Sequence, residues 1–543
     1  MPLTDWPRPC LPSPFADADP SAPPIIWSLA GTDSGGGAGL AADTRAAAAM
    51  GVHLCPVVAA ITAQNSQGVQ AVLPLSKADI SAQLQALAQD MPPRVIKTGL
   101  LASVAAIEAL CEVLDALRQQ APVMLVVDPV LGASSGGAAF CDDAVLQAYR
   151  QQLLPRANLI TPNRREAQRL LGAEHEALSV PELAARLRAL AQPSLAVCIT
   201  GGDDLNASSG AQALALDWLL GHALLHPQAE RPVQGWLALP RLATVHTHGT
   251  GCSFATAAAA ALARGFPLPD AVLLAKRLTW QALHDSHAAG AGAGPVAASR
   301  QFIARAPMPV MGFDDETQPD ASTLARWQRM LSHSADTGMA SGLYGISSDP
   351  AQLQALARRA PAQLRHLQLR VKASSEHSPA QLRQAIRQAL QAQIPGLTVW
   401  INDHWRLALA EGASALHLGQ EDWASLSPQE RGELLASGVK LGLSSHSLWE
   451  LARARGLAPY YIACGPVWPT TTKDMPWRAQ GLPHVRLWAQ WAGVPVVAIG
   501  GIMQAPQAAQ CFMAGARAVC LVRALEQLDD FVPERVRPQA LMH

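Results

Sequence analysis

From Ile25 onward the chain alternates short apolar runs with alanine- and leucine-rich stretches. The runs IIWSLAG (25–31), HLCPVVAAIT (53–62), RVIKTGLL (94–101), VMLVVDPV (123–130), ANLITPN (157–163) and LAVCITGG (195–202) are each short and apolar. That length and composition predict strands buried on both faces, and the intervening stretches predict helices. Strands and helices in this rhythm build a parallel sheet covered on both sides. The pattern fades near GPVAASRQFIARAPMP (294–309) and resumes with eight further runs: GLYGISS, HLQLRVK, TVWIND, ALHLGQ, VKLGLSS, YYIACGPV, PVVAIGG and AVCLVRA, between 342 and 524. Eight strands separated by helix-forming segments fit a (β/α)8 barrel.

The expected organisation is a leader (1–24) with a proline-rich start, an α/β domain (25–305), a linker (306–340) and a barrel (341–530). The linker stretch is rich in Asp, Pro, Ser and Thr, with one short helical piece at LARWQRML. At 543 residues the chain is too long for one core. Hydrophobic residues make up 49% and charged residues 15%, enough apolar material to bury two. The formal net charge of -1 gives no electrostatic reason for a nucleic-acid or membrane partner. Nine cysteines are dispersed without a C-x-x-C pair or zinc spacing, which suits a reducing compartment. No secretory signal pattern or membrane-spanning run is present, so a cytoplasmic location is expected. The expected partners are small molecules; the sequence leaves oligomeric state open and is compatible with a homo-oligomer.

Two glycine-rich loops stand out in the first domain. SLAGTDSGGGAGLAADTRAAAAMG and THGTGCSFATAAAAALARG both lead into helices, and neither has Walker or G-x-G-x-x-G spacing. In the second, Gly249, Thr250 and Gly251 can aim backbone N–H groups at one point, and the following helix adds its positive dipole end. Charge developing on a transferred phosphoryl group would be stabilised there. Cys252 sits at the helix start, where a thiol pKa is expected to fall; a small side chain packed at a helix end is the plain alternative. The first loop is followed by Asp43 inside its helix, which adds negative charge. It is better suited to an uncharged ring lying against backbone than to a phosphate.

The blocks AGTDSGGGAGLAADTRAAAAMG, VVAAITAQNSQGVQ, KTGLL, VVDPV, LITPNRREA and HTHGTGCSFA resemble, in order and spacing, the hydroxymethylpyrimidine/phosphomethylpyrimidine kinases. That family implies a ribokinase-like α/β sandwich, ATP as co-substrate and Mg²⁺. It also implies two phosphorylations of 4-amino-5-hydroxymethyl-2-methylpyrimidine. By the resemblance Gln64 would hydrogen-bond the aminopyrimidine edge, with Gly31 and Val130 lining the pocket. Gly249 and Gly251 would hold the phosphoryl group, and Cys252 would take the position where sugar kinases of this fold carry a catalytic Asp. Asn163 and Glu166 resemble an N-x-x-E element that organises Mg²⁺ and phosphate. Asn163 and Thr161 are also good helix caps. Two departures fall near the expected nucleotide: GASSGG after DPV places Ser134 and Gly137 where a basic and an acidic residue are usual, and TGGDD (200–204) replaces KGGH.

In the barrel, polar residues crowd the strand ends, where such folds place their active sites. Asp403 and Asp422 follow consecutive strands and could share one Mg²⁺. Arg370, Lys372 and Lys473 offer charge for a diphosphate, and the Gly500–Gly501 turn after the seventh strand suits a phosphate. HLQLRVK, WINDHWRLAL, ALHLGQED, KLGLSSHS, CGPVWPTTTK, VAIGGI and AGARAV resemble thiamine-phosphate synthase. The resemblance implies that Gln368, Arg370, Lys372, Asn402, Ser444 and Lys473 bind a pyrimidine diphosphate, with Lys473 catalytic, and that Asp403 and Asp422 bind Mg²⁺. Thr470, Thr472, Gly501 and Val522 would hold a thiazole phosphate. Val371 and Arg523 depart from the acidic residue and the serine usual at their positions. The two resemblances together imply consecutive steps of thiamine biosynthesis in one chain. The alternative keeps the synthase and makes the first domain a non-catalytic pyrimidine-binding module or a kinase of other specificity.

Overall fold

The computed structural model describes residues 22–132, 141–172, 177–201, 213–226, 229–332, 336–359, 363–371, 378–470 and 478–531. They form two compact units divided between Pro319 and Asp320. Most of the expected leader lies outside the described residues.

The first unit is built on a ten-stranded sheet among the described residues. Its strands are β1 (Ile25–Gly31), β2 (His53–Asn65), β3 (Gly68–Pro74), β4 (Val95–Thr98), β5 (Met124–Val127), β6 (Leu159–Ile160), β7 (Ala196–Ile199), β8 (Leu214–His226), β9 (Ala229–Pro240) and β10 (Val310–Met311). The six runs read from the sequence are the parallel centre, in the order β2-β1-β4-β5-β6-β7. Every residue of β4 and β7 is buried, which fixes these strands inside a layered fold. The helices Gly39–Met50, Thr250–Ala263 and Leu268–His284 belong to this unit.

Antiparallel edges were not expected. The sheet ends in the hairpin β2–β3 on one side and in β8, β9 and β10 on the other. The β8 sequence LALDWLLGHALLH has the leucine and alanine content of a helix. Pairing along its length with β9 and β7 overrides that propensity.

The second unit is a closed parallel barrel, confirming the expected (β/α)8 architecture. Its strands are β11 (Gly342–Ser347), β12 (Leu364–Leu369), β13 (Thr398–Asn402), β14 (Ala415–Leu418), β15 (Lys440–Ser445), β16 (Tyr461–Cys464), β17 (Val496–Ala498) and β18 (Ala518–Leu521), with β18 closing on β11. The interior is filled by Tyr344, Trp400, Tyr461 and smaller apolar side chains.

The stretch 306–340, expected as a linker, is instead largely incorporated into the two units. Val310 and Met311 pair with Ala238 and Leu237 of β9. Gln234 Nε2 donates to the Asp314 carbonyl and Trp236 Nε1 to that of Thr317. From Ala321 to Ser332 the chain is helical; Trp327 is fully buried and Arg326 Nε donates to the Gly456 carbonyl at 2.8 Å. The polar composition suggested a solvated tether, but an apolar stripe carrying Trp327 and Met330 anchors the helix on the barrel.

Candidate active sites

In the first unit the expected residues sit where the parallel strands end, the place where open α/β sheets bind ligands. Gly31 closes β1, Val130 follows β5, Asn163 follows β6, and Gln64 lies near the end of β2. The helix that starts at Thr250 has Gly249 as its N-cap, at φ 86°, with no side chain capping it. The Thr250 N–H turns back to the Thr247 carbonyl at 3.3 Å, while helix geometry leaves the next N–H groups, from Gly251, without intrahelical partners and available to an anion.

The first glycine loop is organised by its own Asp33, which the sequence reading did not single out. Asp33 Oδ1 accepts from the Gly35 N–H at 2.8 Å, while Oδ2 accepts from Gly37 at 2.9 Å and Ala38 at 2.7 Å. These amides therefore face an internal carboxylate and not a ligand phosphate. His248 Nε2, from the second loop, lies 2.9 Å from the same Oδ2. Desolvation opposes ionisation of Asp33, but the His248 contact and the backbone donors outweigh it and bring the carboxyl down to about 2. A Cβ at Gly249 would stand 2.2 Å from the Gly37 carbonyl oxygen, so the two loops touch backbone to backbone.

Beneath them lies a cluster of charges. Lys97 donates to both Asp43 oxygens at 2.9 Å, and Asp43 also accepts from Ser28 Oγ at 2.6 Å and Thr256 Oγ1 at 2.7 Å. The negative charge expected from Asp43 is thus paired inside the fold. Asp128 Oδ2 lies 3.9 Å from Lys97 and has no hydrogen-bond partner; burial pushes its carboxyl up to about 6 despite the lysine. Lys97 and Asp128 lie in the KTGLL and VVDPV blocks. The available signal was a charged residue within or directly after an otherwise apolar central strand.

Two expectations change here. The Cys252 thiol was expected to fall in pKa, but burial pushes it up to about 12, with Lys97 opposing the rise. Removal from water outweighs the pull of Lys97 and of the Gly39 backbone hydrogen bond, so the resting thiol keeps its proton. Asn163 and Glu166 form a reciprocal capping box on the helix Arg164–Leu171, with Asn163 Oδ1 accepting from the Glu166 N–H at 2.8 Å and Glu166 Oε2 from the Asn163 N–H at 3.0 Å. The capping alternative is therefore realised. Asn163 also bridges Thr200, the first residue of the altered TGGDD stretch. Ser134, Gly137 and residues 202–204 lie outside the described residues.

The barrel mouth holds a cavity of about 300 Å³. Gln368, Arg370, Asn402 and Ser444 line it, together with the Asp403–Asp422 pair. Thr470, Gly501 and Val522 line it too, as does the unexpected Arg523. Lys372, Thr472 and Lys473 lie outside the described residues. Asp403 adopts a left-handed backbone, φ 63°, unusual for a side-chain-bearing residue. Burial and the neighbouring Asp422 carboxylate push its carboxyl up to about 7, against the pull of Arg370. Asp422 Oδ2 accepts from the Gly419 N–H at 3.0 Å. Gly500 and Gly501 have φ 96° and 72°, and a Cβ at Gly501 would come within 2.6 Å of Trp468. Only glycine fits that turn.

Below the cavity runs a buried chain of hydrogen bonds absent from the sequence reading. Gln368 Nε2 donates to Asn402 Oδ1 at 2.7 Å, and Tyr344 OH donates to Gln368 Oε1 at 2.9 Å. The Tyr344 and Tyr461 hydroxyls are 2.9 Å apart, Tyr461 OH is 2.8 Å from His417 Nδ1, and His417 Nε2 is 3.0 Å from Ser444 Oγ. Burial lowers the His417 pKa to about 3, so the imidazole is neutral and can pass one hydrogen bond in and one out.

A ribokinase-like sheet with an uncapped helix start beside its strand ends, and a barrel with a carboxylate pair and a glycine phosphate turn at its mouth, define a two-domain enzyme class that handles phosphorylated small molecules. Residues 33–297 match the family model for phosphomethylpyrimidine kinase and residues 343–525 that for thiamine monophosphate synthase. The chain is 33% identical over 482 residues to a probable thiamine biosynthetic bifunctional enzyme of Oryza sativa, covering 88% of this chain and 81% of that one. It therefore belongs to the family of bifunctional thiamine biosynthetic enzymes. A Geobacter sulfurreducens thiamine biosynthesis bifunctional protein is 38% identical over 50% of this chain and 51% of its own. A Streptomyces coelicolor hydroxymethylpyrimidine/phosphomethylpyrimidine kinase is 37% identical over 52% of this chain and 96% of its own. The rice protein is described as chloroplastic; among the described residues here, no helix is long and apolar enough to cross a membrane.

Proposed function

We propose that the first unit uses ATP to phosphorylate 4-amino-5-hydroxymethyl-2-methylpyrimidine and then its phosphate. The barrel joins the resulting diphosphate to a thiazole phosphate, releasing diphosphate and forming thiamine phosphate. The observation that carries this reading is the barrel cavity, where Arg370, Arg523, the amides of Gln368 and Asn402, a carboxylate pair and a two-glycine turn line about 300 Å³.

The carboxylate pair suits a divalent cation. Asp403 keeps a proton near neutral pH because it is buried and a second carboxylate adjoins it, and a cation can replace that proton. Among the described residues no cluster of three or more His, Cys, Asp or Glu stands ready to hold a metal. An ion at Asp403 and Asp422 would complete its shell with substrate oxygens, as Mg²⁺ commonly does. Mg²⁺ there would help neutralise the departing diphosphate. Arg370 adds positive charge, Gln368 and Asn402 orient the pyrimidine, and Ser444 is held by neutral His417. Cleavage of the C–O bond leaves a methylene cation delocalised into the aminopyrimidine. The thiazole nitrogen attacks that cation, so no protein nucleophile is required. Gly501, Val522 and Thr470 hold the thiazole phosphate; the roles of Lys372, Thr472 and Lys473 in binding the two anions rest on the family resemblance alone.

In the first unit, the N–H groups of Gly249 and Gly251 receive the moving phosphoryl group. Cys252 stands beside them as a protonated thiol; acting as a base would require its pKa to fall when substrate binds. Asn163 and Glu166, whose capping box fixes the strand end, would sit on the nucleotide side and help hold Mg²⁺ there.

Incubating the full chain with ATP, Mg²⁺, the pyrimidine alcohol and thiazole phosphate tests the proposal. Two ADP per thiamine phosphate are expected. Synthesis only from supplied pyrimidine diphosphate, without ADP, would leave the first unit a binding module.

A further inference from the structure

Gln64 is placed to read the acceptor ring, but an amide can present either its carbonyl or its NH₂ to a given neighbour. The structure contains the means to decide which. Asp33 is nearly inaccessible and ionised, so its Oδ2, 2.9 Å from His248 Nε2, can only accept. His248 Nε2 must therefore carry a proton. The same nitrogen lies 3.1 Å from the Gln64 amide end assigned as Nε2, which would set two donors against each other. On the other side, Thr62 Oγ1 already donates to the Thr32 carbonyl at 2.8 Å, so it cannot also donate to Gln64 Oε1 at 3.4 Å. Both conflicts vanish if the amide is turned over, because the two ends are nearly indistinguishable in shape. The carbonyl then shares the single His248 Nε2 proton with Asp33 Oδ2 in a three-centre bond, and one N–H reaches Thr62.

We propose that His248, held by Asp33, is a positioning residue that fixes the Gln64 amide with its carbonyl toward the second glycine loop. The amide keeps one N–H and one carbonyl lone pair for the ligand. That side-by-side donor and acceptor matches the ring nitrogen and amino group of a 4-aminopyrimidine edge, and mismatches a 4-oxo ring, which presents the opposite pattern. Because a Cβ at Gly37 would fall 2.2 Å from His248 Cδ2, the imidazole has almost no room to turn. The same contact ties the loop that walls the acceptor to the loop that receives the phosphoryl group.

This inference rests on the kinase reading for its substrate but not for its geometry, so two measurements separate them. In the ligand-free full chain, His248→Phe should speed amide exchange across Gly35–Ala38 about tenfold, and His248→Gln, which can still donate to Asp33, should restore most of the protection. With substrates, His248→Phe should cut the preference in kcat/KM for the 4-amino over the 4-oxo pyrimidine alcohol about tenfold, while KM for ATP changes less than about twofold. Added to Gln64→Ala, it should cost no further discrimination. Unchanged exchange, an unchanged preference, or effects that multiply in the double variant would each overturn the positioning role. A wild-type chain that forms no ADP would refute the kinase reading alone, and the exchange result would still decide whether His248 clamps the loop.

Discussion

Lys97 donates to both carboxylate oxygens of Asp43 at 2.9 Å, and neither side chain keeps any exposure. Such a pair is costly to break from one side, because the partner is left charged and out of water. Lys97→Met strands Asp43 and removes the cation nearest Asp128. A loss of about 3–5 kcal/mol is expected in the unfolding of the first unit, read from the denaturant dependence of its amide exchange. Adding Asp43→Leu should recover part of that loss, since no orphaned charge remains. A double variant no better than the single would show that the pair is not the source.

Gly249 and Gly251 flank the same helix start but are required for different reasons. Gly249 has φ 86° and would drive a Cβ to 2.2 Å from the Gly37 carbonyl oxygen. Gly249→Ala should destabilise the first unit by about 1–3 kcal/mol. A Cβ at Gly251 meets nothing closer than Asp128 Oδ1 at 3.9 Å. Gly251→Ala should therefore fold normally, gaining up to about 1 kcal/mol of helix propensity. ADP formation should nonetheless fall by about tenfold or more, because the methyl group occupies space claimed for the phosphoryl group. Full activity in Gly251→Ala would move the phosphoryl site elsewhere.

The backbone of both sites was legible because strand ends carry their own signature. All eight barrel runs became strands, and the described residues among those expected at its mouth share one cavity. What was hidden depends on contacts distant in sequence. Asp33 meets His248 across 215 positions, and Tyr344 meets Tyr461 across 117, distances no local pattern encodes. The β8–β9 hairpin was missed because its leucines and alanines favour a helix until a neighbouring strand is supplied. Cys252 was misjudged because the helix end is local and visible in sequence, whereas desolvation is imposed by the surrounding fold.

A thiol pushed up to about 12 is almost wholly protonated at neutral pH. Alkylation of Cys252 by iodoacetamide should therefore be slow at pH 7 and keep rising through pH 9 without levelling, since only the thiolate reacts. Cys252→Ala should lower ADP formation by about a hundredfold and leave synthesis from supplied pyrimidine diphosphate within about twofold of wild type. A plateau in the alkylation rate near pH 7 would show that the helix end outweighs burial after all.

The Asp403 carboxyl, raised to about 7, gives the metal-free barrel a characteristic pH response. The unfolded chain loses this proton near the ordinary aspartate value of 3.8, whereas the folded chain holds it to about 7. Between those values the folded state binds more protons, so stability falls as pH rises through the window, and the whole cost is present above it. In EDTA the wild-type barrel should be less stable at pH 8.5 than at pH 5, and Asp403→Asn, which cannot ionise, should flatten that dependence. Mg²⁺ should restore wild-type stability at pH 8.5 because it favours the ionised pair, with little effect on the variant. The variant should also need about tenfold more Mg²⁺ for half-maximal coupling. Equal Mg²⁺ requirements in the two proteins, with the pH slope unchanged, would remove Asp403 from the metal site.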